Sequence, residues 1–136
     1  MTPNQAATPR PPIDMIDTEA EKLADLALGA EERAPQVSAL LLDEIERATL
    51  HSAETIPPEV VTMGSRVEFV DEGSGREHSV ELVYPQDADI SAGRISILTQ
   101  VGAGLIGLRA GQSILWPGRD GQERRLVIVR VARSAA

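Results

Sequence analysis

Few side chains in this sequence are spaced to do chemistry. His51 and His78 lie far apart, without an HxxxH spacing or a carboxylate pattern around them, so no metal centre is indicated. Ser65, Ser79 and Ser96 have no acid–base partner suggested by their neighbours, and nothing argues for a nucleophilic site. Glycines gather at Gly102, Gly104, Gly107 and Gly111. A phosphate loop would end in Gly-Lys-Ser/Thr, but the one lysine of the chain is Lys22. A dinucleotide fingerprint needs a βαβ crossover, which the order of segments does not supply. These glycines suit tight turns and close packing of a short helix instead. Glu31 and Glu32 form an adjacent carboxylate pair. Hard divalent cations prefer such oxygen ligands, although the plain reading of the pair is a solvated loop.

The elements that would carry these residues change character near the middle of the chain. Residues 1–12 hold four prolines and little apolar surface, and read as a disordered tail. Ile16, Ala20, Leu23 and Ala27 fall on one face of a first helix. Thr18 and Glu21 have the spacing of a capping box, and Gly29 is a plausible stop. Pro35 suits the first turn of a second helix, in which Val37, Leu40, Leu41, Ile45 and Ala48 form an apolar stripe. The short link between them favours an antiparallel hairpin with Glu31 and Glu32 at its tip. Ile56-Pro57-Pro58 ends the helical pattern.

Beyond that point alternation takes over. Strands are predicted at 66–70, 78–84, 94–98, 112–116 and 125–132, with turns at 71–75 and 117–121 and a short helix within 101–108. On the last strand Leu126, Ile128 and Arg130 are expected on one side. The fold class is therefore α+β, a helical hairpin followed by a strongly bent antiparallel five-stranded sheet with one helix. The division is a tail over 1–12, a hairpin over 13–55 and a sheet domain over 56–136. With one Phe, one Tyr and one Trp, the core must come from aliphatic residues, and Trp116 is expected to be partly buried.

Charge narrows the partners. The formal net charge is −8. Residues 1–56 carry eleven Asp/Glu against four Lys/Arg, and residues 57–136 carry ten against nine. Such a chain gains nothing from phosphate electrostatics, so a protein with a basic surface is the better expectation than nucleic acid. There is no cysteine, no apolar run of the ~20 residues a membrane span needs, and no secretory signal pattern, all of which fit a cytoplasmic protein.

The segment Val60-Val61-Thr62-Met63-Gly64-Ser65-Arg66-Val67, then Leu82-Val83-Tyr84-Pro85, resembles the nucleoside diphosphate kinase regulator family, Rnk. The run from Val101 to Gly111, with its Gly104-Leu105-Ile106-Gly107, also resembles the segment after the third strand of GreA and GreB. The resemblance spans roughly residues 14–132. It implies a C-terminal domain of FKBP-like fold and a non-enzymatic regulator that binds RNA polymerase beside its secondary channel. DNA contact would be only indirect, with no cofactor, no membrane and a monomeric chain expected.

The resemblance also marks a docking surface. By motif position it falls on Asp87 and Asp89 before the third strand and on Thr99, Gln100 and Val101 after it, with Val101 as an apolar anchor. Gln100 stands where GreA-like proteins have proline, and Ala103 where they usually have a basic residue. Cleavage factors of the GreA type hold a magnesium ion through acids at the tip of a long coiled coil. Here the tip pair is adjacent rather than three apart, and the predicted helices are less than half as long. Occupying the channel entrance and competing with cleavage factors is the expectation that follows. Prolyl isomerase activity would need an aromatic-lined pocket that three aromatics do not readily make. An acidic interaction module with a different basic partner is the alternative function.

Overall fold

The helices begin and end where backbone chemistry permits. A computed structural model describes residues 12–117 and 123–132. In it, helix α1 runs Asp17–Gly29 and helix α2 runs Pro35–Arg47. Pro35 occupies the first turn of α2, where its missing N–H leaves no bond unmade. Ala20, Leu23 and Ala27 are buried along α1, on the face their spacing predicts. The start of α1 differs from expectation. Ile16 is its cap and makes no side-chain capping bond. Thr18 sits inside the first turn, where its N–H is taken by the Asp17 carboxylate at 2.7 Å. The capping box of Thr18 and Glu21 is therefore not formed.

Helix α2 buries a mixed face. Leu41 is buried together with Ser38 and Glu44, while Val37, Leu40, Ile45 and Ala48 are only partly covered. Ser38 donates its hydroxyl to the Ala27 carbonyl at 2.7 Å, tying the two helices together. Glu44 accepts from Arg47 Nη2 at 2.6 Å and Nε at 3.0 Å. A polar group tolerates burial when its bonds are made, and the apolar stripe does not reveal that.

Two short strands flank the hairpin where helix ends were expected. Strand β1 (Asp14–Ile16) and strand β2 (Thr49–His51) pair in parallel, so the hairpin closes on a two-stranded base. The expected tail over 1–12 lies outside the described residues except for Pro12, whose carbonyl accepts from Gln112 Nε2 at 3.1 Å.

Strands β3 (Arg66–Asp71), β4 (Arg76–Val83), β5 (Arg94–Ser96), β6 (Ser113–Pro117) and β7 (Glu123–Ala132) form one sheet in the order β5-β4-β3-β7-β6. Five strands were expected, all antiparallel. The edge pair β4–β5 is instead parallel, because residues 84–93 carry the chain back before β5 begins, and the sheet is mixed. Helix α3 (Gln100–Leu105) follows β5. The Trp116 side chain and most of the turn expected at 117–121 lie outside the described residues.

The phase of β7 also changes along its length. Glu68 faces Arg130 and Phe69 faces Ile128, so Val129 has no partner and forms a bulge. Leu126 and Ile128 point inward as expected, but beyond the bulge the inward position passes to Val131 and Arg130 is exposed.

One apolar core joins the two halves. It holds Leu23, Ala27 and Leu41 from the hairpin with Val67, Phe69, Leu82, Ile97, Ala103, Leu105, Ile106 and Leu108. Aliphatic side chains dominate it, as the composition requires. At Gly102 the close packing foreseen for the glycines is explicit: a Cβ there would clash with the Ser96 carbonyl oxygen.

Candidate functional site

The parallel pairing of β4 with β5 decides which of the expected docking residues meet. Val83 lies opposite Ser96, so the segments that follow both strands leave the sheet from one end. After β4 comes a 3-10 turn over Pro85–Asp87. After β5, Thr99 caps α3, its hydroxyl accepting from the Gly102 N–H at 3.0 Å and donating to the Ser96 carbonyl at 2.7 Å. Asp87, Thr99 and Gln100 are exposed around this end. Val101 differs, because it is half-buried and packs on the core. Tyr84 borders the site, and burial, with the nearby Glu19 charge, pushes its hydroxyl above the usual range. It therefore remains a neutral phenol near pH 7.

Asp89 sits at the other end of the pair, beside Arg94, with two backbone bonds of 2.9 Å between them. Its carboxylate accepts from the Ser91 hydroxyl at 2.6 Å and the Ser91 N–H at 3.1 Å. Those bonds, led by the hydroxyl and joined by the Arg94 charge, hold the carboxyl below the usual carboxylate range. Asp89 thus organises a second 3-10 turn, Ile90–Ala92, that ends at Gly93. Ile90 rides on that turn with 87% of its surface exposed. Sequence reasoning passed over Ile90, since an isolated isoleucine in a polar loop gives no periodic signal. The neighbouring Asp-x-Ser, a common turn-former, was the available clue.

Glu31 and Glu32 lie in the five-residue link between α1 and α2 and are both exposed. They are at the far end of helices of 13 residues, each about 20 Å long at 1.5 Å per residue. Among the described residues no group of three or more His, Asp or Glu side chains is gathered to hold a metal ion.

A third cluster lies at the base of the hairpin, and the sequence did not show it. Asp14 in β1 accepts from His51 Nε2 at 2.8 Å and from Arg109 Nε and Nη2 at 3.0 and 2.9 Å. These residues are 37 and 95 positions from Asp14 in the chain, beyond any spacing rule. Burial raises the Asp14 carboxyl, but the His51 and Arg109 bonds and charges outweigh it, and the group titrates below the usual carboxylate value. The backbone runs alongside: Asp14 N–H donates to Gly107 at 3.1 Å, Gly107 N–H to Val61 at 2.9 Å, and Thr49 N–H to Ile13 at 3.0 Å. Gly107 has φ 85, and a Cβ there would meet Ile13 at 2.9 Å and the Asp14 oxygen at 3.0 Å. The seam joins the hairpin to the sheet domain.

Comparison with known proteins places this arrangement. The family model for the transcription elongation factor GreA/GreB C-terminal domain matches residues 56–133. The chain is 34% identical over 122 residues to the regulator of nucleoside diphosphate kinase of Escherichia coli strain K12, covering 90% of each chain. It is 34% identical over 113 residues to transcription elongation factor GreA of Azorhizobium caulinodans, covering 77% of this chain and 72% of that one. Among solved structures it is similar to a prokaryotic transcription elongation factor GreA/GreB from Nitrosomonas europaea, with 41% identity and a TM-score of 0.73 over 88% of this chain and 98% of that one.

Proposed function

Because the chain belongs to the GreA/GreB C-terminal family, together with the regulators of nucleoside diphosphate kinase, we propose that it is a non-enzymatic regulator of transcription that binds bacterial RNA polymerase near the secondary channel. The observation that carries this reading is the shortness of the hairpin on a domain of this family. Two 13-residue helices reach about 20 Å, less than half the coiled coil that the resemblance to cleavage factors implies. A protein of this shape occupies the channel entrance without bringing Glu31 and Glu32 to the polymerase metal. It competes with cleavage factors and modulates elongation by steric exclusion, with no chemistry of its own.

Docking uses the end of the sheet that carries Asp87, Thr99 and Gln100. Asp87 steers and orients encounter with a basic rim, whereas the Asp89 carboxylate is occupied within its own turn. Val101 packs on the core with part of its surface left for an apolar contact. The chain works in the cytoplasm as a monomer beside polymerase. Among the described residues no helix is long and apolar enough to cross a membrane.

The test is binding of the purified protein to RNA polymerase core with GreA as competitor. Binding at micromolar concentration or tighter that GreA displaces, and that Asp87→Arg weakens about tenfold, is the expected result. Absence of binding at tens of micromolar and moderate salt overturns it and turns attention to another basic partner of the acidic hairpin.

A further inference from the structure

We propose that Ile90 is the apolar anchor of the docking surface, seated in an apolar hollow of the polymerase bordered by basic side chains. This rests on the reading that the chain binds polymerase, and adds to it a residue and the chemistry of the complementary pocket. Four large hydrophobic side chains are exposed among the described residues. Leu28, Leu50 and Val129 keep close to half of their surface covered, at 53%, 53% and 55% exposed, whereas Ile90 is 87% exposed.

The fold does not need isoleucine there. The turn is held by the Asp89 carboxylate on Ser91, by Ala92 N–H to the Asp89 carbonyl at 3.0 Å, and by Gly93 N–H to the Ile90 carbonyl at 3.0 Å. None of these bonds involves the Ile90 side chain, so a polar residue would serve the turn equally well and hydrate better. The turn is braced against the sheet edge by the paired bonds between Asp89 and Arg94. A β-branched side chain on a braced turn has little rotamer freedom left to lose, which favours its use as an anchor.

The surroundings define the partner. Asp87 is exposed three residues before, and no side-chain partner engages its carboxylate among the described residues. An apolar projection with an exposed acid three residues before it fits an apolar hollow with lysine or arginine at its border. The Ile90 turn lies beside Arg94 and Glu81, while Thr99 follows Ser96 and Val83. Both loops flank the three-residue strand β5, and a partner surface that covers this edge meets both.

The test measures affinity for RNA polymerase core with the wild type, Ile90→Val, Ile90→Ala, Ile90→Asp and Gln100→Arg. The expected order is near-wild-type binding for Ile90→Val, about tenfold weaker binding for Ile90→Ala and still weaker binding for Ile90→Asp, with unchanged thermal melts. Wild-type affinity in Ile90→Asp, while Gln100→Arg weakens binding, overturns the anchor and leaves the polymerase reading standing. Absence of wild-type binding overturns both.

Discussion

Two aspartate–arginine pairs in this molecule do opposite work. At the hairpin base the Asp14 side chain is 13% exposed and bonds Arg109 at 2.9 Å. At the sheet edge the Asp89 side chain is 47% exposed and stands 4.0 Å from Arg94. The first pair has surrendered most of its water, so each partner depends on the other. The second keeps its water, and at that distance its Coulomb attraction is screened to little. Asp89 matters through its bonds to Ser91, which shape an exposed loop, whereas Asp14 matters through what it holds together. The same two residue types tie segments together in one place and shape an exposed turn in the other, and the difference lies in solvent access and in the third partner, a histidine or a serine.

That contrast can be broken at the base first. Gly107→Ala places a Cβ against Ile13 and Asp14 on a backbone with φ 85. The left-handed conformation and the overpacking together are expected to cost about 3 kcal/mol, read as a lower urea midpoint at constant slope. Arg109→Ala comes next. Removing one member of a buried pair costs roughly 3–5 kcal/mol, and the 38% exposure of Arg109 reduces the expected loss to about 2 kcal/mol. A cycle with Asp14→Ala should show coupling of about 1 kcal/mol; additive losses would mean that the contact contributes nothing.

Acid sharpens the comparison further. The folded Asp14 carboxyl titrates below its unfolded counterpart, so its stabilisation is present above the unfolded value of about 3.9 and is lost as pH falls through the folded one. Urea melts between pH 6 and pH 2.5 should therefore show a decline near and below pH 4 that is shallower in Arg109→Ala. The smallest effect belongs to the edge. Arg94→Ala should leave the melting temperature unchanged, and a clear drop would show that the exposed pair is structural after all.

The sequence made local structure legible and long-range electrostatics illegible. Ala20, Leu23 and Ala27 announce a helix face because helical spacing brings them together. Pro35, and the glycines around α3, carry their backbone requirements in their chemistry. Val67, Phe69 and Leu82 alternate as half-buried strands do. Asp14, His51 and Arg109 meet only through tertiary folding, and no window of sequence contains them. Ser38 and Glu44 look solvent-facing until the Ala27 carbonyl and the Arg47 guanidinium are in place. The bulge at Val129 lies within an unbroken alternation, and only the register against β3 reveals it. For the proposed docking surface, motif position indicated the two loops beside β5, but loop composition could not separate Asp89, engaged within its turn, from Ile90, whose side chain is largely exposed.

The parallel entry of β5 has a further effect, on solubility. A hairpin would have delivered β5 as a plain antiparallel edge, open along its length to a strand from another molecule. The return run instead pairs Asp89 with Arg94 and occupies backbone donors that would otherwise face solvent. The edge is only three residues long, Arg94–Ser96, and its neighbour in space carries a charge. On the opposite side, β6 ends in Pro117, which has no N–H to offer. Short length, a covering segment, charge and proline are recognised defences against runaway strand addition. A sheet guarded in this way can remain dispersed at high concentration while one of its loops exposes an isoleucine.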